Sequence, residues 1–210
     1  MARRLDQLDP RRALTEIAAD FHRRGWMAGT AGNLSTRDRG SPGAFWITAS
    51  GLAKGRLDES DFLLMDLESE EVLERLSPEV KPSAETAIHR TIYQLFPDAT
   101  ACLHVHSVDA SLAVADLAPE ASCLTLPPLE MLKGLGLWKE RPEVSLPLFA
   151  NWLDVSAIAD AIRQRFMAAP PVIPALMIHS HGSTVWGGSL QEAYNRVEVI
   201  EFLMTYLARR

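Results

Sequence analysis

The stretch Leu103-His104-Val105-His106-Ser107 sets two imidazoles two positions apart in an apolar alternation. Side chains two apart on an extended strand leave the same face. His104 and His106 therefore project together while Leu103 and Val105 pack behind, a two-point clamp for a metal ion. A catalytic zinc takes three protein ligands and keeps an open position for substrate or water. A third imidazole is on hand, because His179-Ser180-His181-Gly182 follows the apolar run Pro174-Ala175-Leu176-Met177-Ile178 at the mouth of an expected strand. One such pair alone more often ends a strand in solvent or in a satisfied hydrogen bond. With four of the six histidines in two such pairs, a metal centre is the better reading. Spacing does not choose between His179 and His181.

Proton transfer beside a metal-polarised carbonyl needs a positioned base. Glu85 is expected in the first turn of a helix capped by Ser83, a common place for an acid. Glu130 lies in Leu129-Glu130-Met131-Leu132-Lys133-Gly134, whose apolar members could raise its pKa toward the range of a general base, although a lone Glu in a loop is usually solvated. Met131, Leu135 and Trp138 would line an apolar slot near it, although such residues are more often core. The loops Gly29 to Asn33 and Ser50-Gly51, with the helix start at Ser83, offer uncovered backbone N–H groups that could wrap a phosphate. Such clusters are usually plain turns. Lysine placement shifts the balance: of four in the chain, Lys54 follows Ser50-Gly51, Lys81 precedes Ser83 and Lys133 follows Glu130.

These residues need a scaffold, and 210 residues, 47% of them hydrophobic, suffice for one domain spanning 1–210. A net charge of −6 argues against nucleic acid as a partner, since backbone phosphates are bound by clustered Lys and Arg. The N-terminal stretch Met1 to Arg12 is charged and has no apolar leader, and no run of about 18 apolar residues occurs, so a membrane is not expected and a cytoplasmic location is. The two cysteines, Cys102 and Cys123, match no metal-ligand spacing and are expected to be core thiols.

Asp9-Pro10 followed by Leu14, Ile17, Ala18 and Phe21 reads as a capped helix ended by Gly25. The segment at Leu34-Ser35 pairs with Phe45 to Thr48 across the turn at Gly40 to Gly43, and Phe62 to Met65 is a short buried strand. A helix from Ser83 stops before Pro97 and leads to the first His-x-His strand. Ser107 caps a further helix, Leu124 to Leu126 and Leu146 to Phe149 are strands, and Asp154 caps a helix to about Met167. Thr184 to Gly187 returns from the second His-x-His, and Ser189 to Glu192 forms a capping box for the last helix. His22 and His89 are expected to be structural or exposed. Hairpin-like links outnumber crossovers, so the fold class is α/β, with a mainly antiparallel or mixed sheet covered by helices.

Taken in order, Gly29-Thr30-Ala31-Gly32-Asn33-Leu34-Ser35, Thr48-Ala49-Ser50-Gly51, Pro82-Ser83-Ala84-Glu85, His104-Val105-His106 and His181-Gly182 resemble the class II (zinc) aldolase/epimerase/dehydratase family of sugar phosphates, from about Leu14 to Tyr206. Lys81 to Thr86, Leu129 to Gly134 and Thr184 to Gly187 look most like the members that dehydrate a methylthio-substituted ketopentose phosphate. The resemblance implies a three-layer α/β/α fold and a homotetramer with sites between subunits. It implies zinc, or another divalent metal, on His104, His106 and His181, and a phosphate cradle from Thr30, Asn33, Ser50, Gly51 and Ser83. Aldolase members place the acid/base at the position of Glu85 and dehydratase members at that of Glu130, and this chain has both. The rivals are an aldolase or 4-epimerase on another sugar phosphate and, further off, a non-catalytic interaction module on the same fold.

Overall fold

The computed structural model describes residues 5–210; residues 1–4, the beginning of the charged N-terminal stretch, lie outside the described residues. Helix α1 (Pro10–Arg23) begins where the Asp9 carboxylate accepts the Arg11 N–H at 3.0 Å and Pro10 supplies a preset φ. Its buried stripe is Ala13, Leu14, Ile17, Ala18 and Phe21.

Among the described residues nine strands follow: β1 (Asn33–Arg37), β2 (Ala44–Thr48), β3 (Phe62–Asp66), β4 (Val72–Arg75), β5 (Ala101–Val105), β6 (Cys123–Thr125), β7 (Ser145–Phe149), β8 (Ala175–Ile178) and β9 (Gly182–Gly187). They form one sheet in the order β4-β3-β2-β1-β5-β9-β8-β7-β6. Only β7 and β8 run parallel, joined by the crossover helix α4 (Val155–Ala168). The sheet is therefore mixed and mainly antiparallel, as the hairpin spacing predicts.

Period-two alternation divides the sheet residues between two cores. On β5, Ala101, Leu103 and Val105 join the core beneath α1, α3 (Val108–Ala113), the 3₁₀ turn Glu130–Leu135 and α5 (Leu190–Ala208). Cys102 faces the opposite core, beneath α2 (Thr86–Leu95) and α4, and the same alternation turns His104 that way. This is the three-layer α/β/α arrangement. The expected caps hold at Ser107, Asp154 and Ser189, each accepting a backbone N–H of the first turn. The Glu192 carboxylate, however, takes the N–H of Gly188 rather than that of the cap residue. No helix among the described residues is long and apolar enough to cross a membrane.

Two further expectations are corrected. Ser83 is not the cap of α2: its hydroxyl takes the Glu85 N–H at 3.3 Å in a local turn, and the helix begins at Thr86 with Glu85 in the cap position. Cys123 is exposed, because it lies on the short outermost strand where alternate residues face water, whereas Cys102 is buried as expected. Strand β4 was not foreseen; its residues Val72-Leu73-Glu74-Arg75 carry no alternation, as befits a largely exposed edge.

Candidate metal centre

Four elements, β5, β8, β9 and α2, bring the centre together. His104 is the last residue but one of β5, and His106 stands just beyond the strand, its N–H bonded to the Trp26 carbonyl at 2.8 Å. The hairpin between β8 and β9 supplies His181, and the residue before α2 supplies Glu85. Ser180 adopts a left-handed φ of 52°, so the second His-x-His is a tight turn rather than a strand pair. That turn separates its two histidines. His181 points inward, while His179 bonds the Ser180 hydroxyl at 2.9 Å and its Nε2 has no partner among the described residues.

Gly182 is what lets the turn close. A Cβ at this position would lie 2.1 Å from the Val105 carbonyl oxygen and 3.2 Å from the His106 ring. Only a residue without a side chain permits the hairpin to come this near the end of β5.

The ligand atoms of Glu85, His104, His106 and His181 all lie within 4.8 Å of one another. His104 Nε2 is 2.7 Å from His106 Nε2 and 3.4 Å from His181 Nε2. Glu85 Oε1 is 2.7 Å from His181 Nε2 and 3.5 Å from His104 Nε2. The far side of the His104 ring fixes its tautomer: Nδ1 is 3.0 Å from the Ser183 carbonyl and 2.9 Å from the Thr184 hydroxyl, so it carries the proton and Nε2 offers a lone pair to the centre. His181 Nδ1 reaches Asn151 Oδ1 at 3.2 Å in the same sense. Bare lone pairs repel at such separations, so a proton or a cation belongs among them. Three imidazoles and one carboxylate are a donor set that suits zinc and its first-row neighbours.

The electrostatics agree. Burial would raise the Glu85 carboxyl, but His104 and His181 beside it prevail and hold it well below the usual carboxylate range. Burial, together with His104 and His181, lowers His106 to about 3, leaving the neutral ring that metals bind.

The loops expected to hold a phosphate converge beside this group. The Gly29 carbonyl accepts the Lys54 N–H at 2.9 Å, the Lys81 carbonyl accepts the Ser50 N–H at 2.9 Å, and Ala49 bridges Pro82. Thr30, Ser50 and Gly51 are exposed and Ser83 is half-buried, so their polar groups face space a ligand could enter. Asn33 differs. It is buried opposite His104 on β1, with its amide spent on Glu85 and His89. Lys54 is buried too, and its Nζ donates to the Leu52 carbonyl at 3.1 Å. Burial lowers its pKa, against Glu85 and Asp61, which raise it.

Glu130 stands apart. Its side chain is 82% exposed and ion-paired with Lys133 at 2.6 Å, at the start of the 3₁₀ turn. The apolar surroundings expected for it do not form: Leu135 faces the core, Met131 leans on that core, and Trp138 is 76% exposed beside Lys133. Glu130 instead lines an open cavity of about 330 Å³ with Lys133, Trp138, Lys139 and Arg141. Among the described residues it makes no hydrogen bond or ion pair to the histidine group.

Sequence reasoning passed over Asn151, Ser183 and Thr184, which orient the ligand rings. Thr184 lies just past the turn and faces His104 across the β5–β9 register, a pairing only the assembled sheet reveals.

Residues 12–207 match the family model described as the class II aldolase and adducin N-terminal domain. The chain is 52% identical over 199 residues to a methylthioribulose-1-phosphate dehydratase of Microcystis aeruginosa, with 95% of each chain covered. It is 40% identical to one from Leptospira biflexa, covering 98% of this chain and all of that one. Among solved structures, L-fuculose-1-phosphate aldolase from Thermus thermophilus superposes with a TM-score of 0.70 at 26% identity, covering 94% of this chain and 93% of that one. The chain belongs to the class II aldolase and adducin N-terminal domain family.

Proposed function

We propose that this class II aldolase family member is a metal-dependent hydro-lyase that converts 5-methylthioribulose 1-phosphate to 2,3-diketo-5-methylthiopentyl 1-phosphate and water, a step of methionine salvage. The observation that carries the reading is the convergence of His104, His106, His181 and Glu85 next to three loops that present the exposed Thr30 and Ser50 and the half-buried Ser83. The relatives of like name supply the substrate.

His104, His106 and His181 would hold one zinc ion per subunit, or another divalent metal. When bound, such an ion supplies Lewis-acid polarisation of a carbonyl, which acidifies the adjacent carbon. The chain's own groups do the rest. Thr30, Ser50, Gly51 and Ser83 hold the phosphate, with Asn33 at the edge of the cradle. Glu130 takes the proton from C3. The C4 hydroxyl leaves as water with a proton from the carboxylic acid that Glu130 becomes on taking the C3 proton, Glu85 being the less suited donor because the histidines hold it ionised, and the enol that remains ketonises to the diketone. Carbon, oxygen and hydrogen balance with no redox partner.

Glu130 sits outside the histidine group of its own subunit and at the surface, which supports a homotetramer in which it reaches a neighbour's centre. The expected cytoplasmic setting and single-domain organisation belong to the same reading. A second reading is favoured by Glu85, whose carboxylate touches two of the histidines: a base at that position suits retro-aldol cleavage of a sugar phosphate. Incubation of the purified protein with 5-methylthioribulose 1-phosphate, followed by diketone absorbance, separates them. Diketone without carbon–carbon cleavage supports the dehydratase, and retro-aldol fragments without diketone overturn it.

A further inference from the structure

Behind Glu85 lies a sealed row of polar side chains for which the reaction above has no use. Glu85, His89 and Tyr93 recur at four-residue spacing along one side of α2, and Asn33 and Ser35 recur at two-residue spacing on the facing side of β1. A helix advances about 6 Å in four residues and a strand about 6.8 Å in two, so the two rows interleave. Asn33 Nδ2 contacts Glu85 Oε2, His89 Nε2 is 2.5 Å from Asn33 Oδ1, and Ser35 Oγ is 2.7 Å from both His89 Nδ1 and the Tyr93 hydroxyl. Asn33, Ser35, His89 and Tyr93 are all buried, at 3% exposure or less.

The row has one direction. An ionised carboxylate only accepts hydrogen bonds, so Glu85 Oε2 must face the amide NH₂ of Asn33. That turns Asn33 Oδ1 toward His89, whose Nε2 must therefore carry the ring proton. His89 Nδ1 is then the acceptor, filled by the Ser35 hydroxyl, and Ser35 Oγ accepts from Tyr93. The Cys102 carbonyl, at 3.3 Å, is the more distant alternative for the Ser35 proton. Every assignment follows from the one before it. Burial holds His89 neutral, with its pKa lowered to about 3, as the assignment requires.

We propose that His89, acting through Asn33, is a positioning residue that pins Glu85 Oε2 and so presents Oε1 to His181 and His104. The proposal rests on reading those histidines as a metal centre, and it gives Asn33 a duty other than phosphate binding. Loss of such an outer hydrogen bond costs about 10–100-fold in metal affinity or activity where it orients a ligand.

The test compares wild type with His89→Phe, which fills the space without a donor, and His89→Gln, whose amide can restore the N–H to Asn33. Ser35→Ala serves as a milder break should the phenylalanine variant not fold. Zinc affinity is read by chelator competition, turnover on 5-methylthioribulose 1-phosphate by kcat and KM separately, and folding by thermal melting. The expected result is a tenfold or greater loss of zinc affinity and of kcat in His89→Phe, little change in KM, and recovery to within about threefold of wild type in His89→Gln. Ser35→Ala should lose affinity in the same direction by a smaller factor. Wild-type zinc affinity and kcat in a folded His89→Phe, or an equal loss in His89→Gln, would overturn the proposal. If wild type itself takes up no zinc, the metal reading fails instead. Positioning is then judged on crystal structures of the metal-free chains: an Asn33 amide turned away from Glu85 in His89→Phe supports it, and an unmoved one overturns it.

Discussion

Glu85 Oε1 lies 2.7 Å from His181 Nε2, so a helix-start carboxylate and a hairpin-turn imidazole, 96 positions apart in the chain, share one centre. Replacing Glu85 by Gln keeps the shape and an acceptor for Asn33 but removes the charge. Zinc affinity should fall by about tenfold or more, measured by chelator competition on the folded protein. An unchanged affinity would remove Glu85 from the metal's surroundings.

The two histidines of the hairpin should behave differently. His181→Ala takes away a converging Nε2 and should abolish stoichiometric metal binding, whereas His179→Ala should leave metal content intact, since its ring points elsewhere. Elemental analysis of the two purified variants decides it, and equal losses would contradict the geometry.

Much of this was legible in the sequence. The alternation around His104 and His106, the caps at Asp9, Ser107, Asp154 and Ser189, and the hairpin turns all follow local rules, and local rules decided them. The choice of His181 over His179 did not, because it hangs on a left-handed φ at Ser180, a residue type that seldom adopts one. The Glu85, His89, Tyr93 spacing was visible as a row, but its partners Asn33 and Ser35 sit on a strand more than fifty residues earlier. The apolar surroundings expected for Glu130 fail for a related reason: its apolar neighbours in sequence turn into the core and leave its carboxylate at the surface beside Lys133.

Gly182→Ala is expected to destabilise the fold by about 1–3 kcal/mol, because the added methyl must push the Val105 carbonyl aside. Metal affinity should fall with it, as the hairpin carrying His181 retreats from β5. Urea unfolding of the variant beside wild type gives the first number. A difference below a few tenths of a kcal/mol would mean the strands separate freely there.

Stability should fall in acid through His89. Its folded pKa of about 3 lies below the ordinary value of 6.5, so the unfolded chain binds the extra proton between those two values. The stabilisation is complete above about pH 6.5 and is lost as pH falls toward 3, at up to about 1.4 kcal/mol per pH unit for this one group. In metal-free protein, His89→Gln should flatten the pH dependence of urea unfolding across that window. An identical slope in the variant would show that another group carries the effect.

Glu201 should act with the opposite sign. It is buried on α5, with one oxygen accepting from Ser183 at 3.1 Å and the other without a partner among the described residues. Burial raises its pKa, so the stability it contributes is present below the unfolded carboxylate value and is lost as pH rises through the folded one. Glu201→Gln should melt higher than wild type at neutral pH and lose that advantage in acid. A lower melting temperature at neutral pH would indicate an ionised carboxylate with a partner.

The account stands on three imidazoles gathered for a metal ion, and metal content per chain tests it most directly. Purified wild type loaded with zinc and desalted should retain one ion per chain, and a variant with His104, His106 and His181 all changed to alanine should retain none. A wild type that holds no ion, or a triple variant that keeps its own, would contradict it.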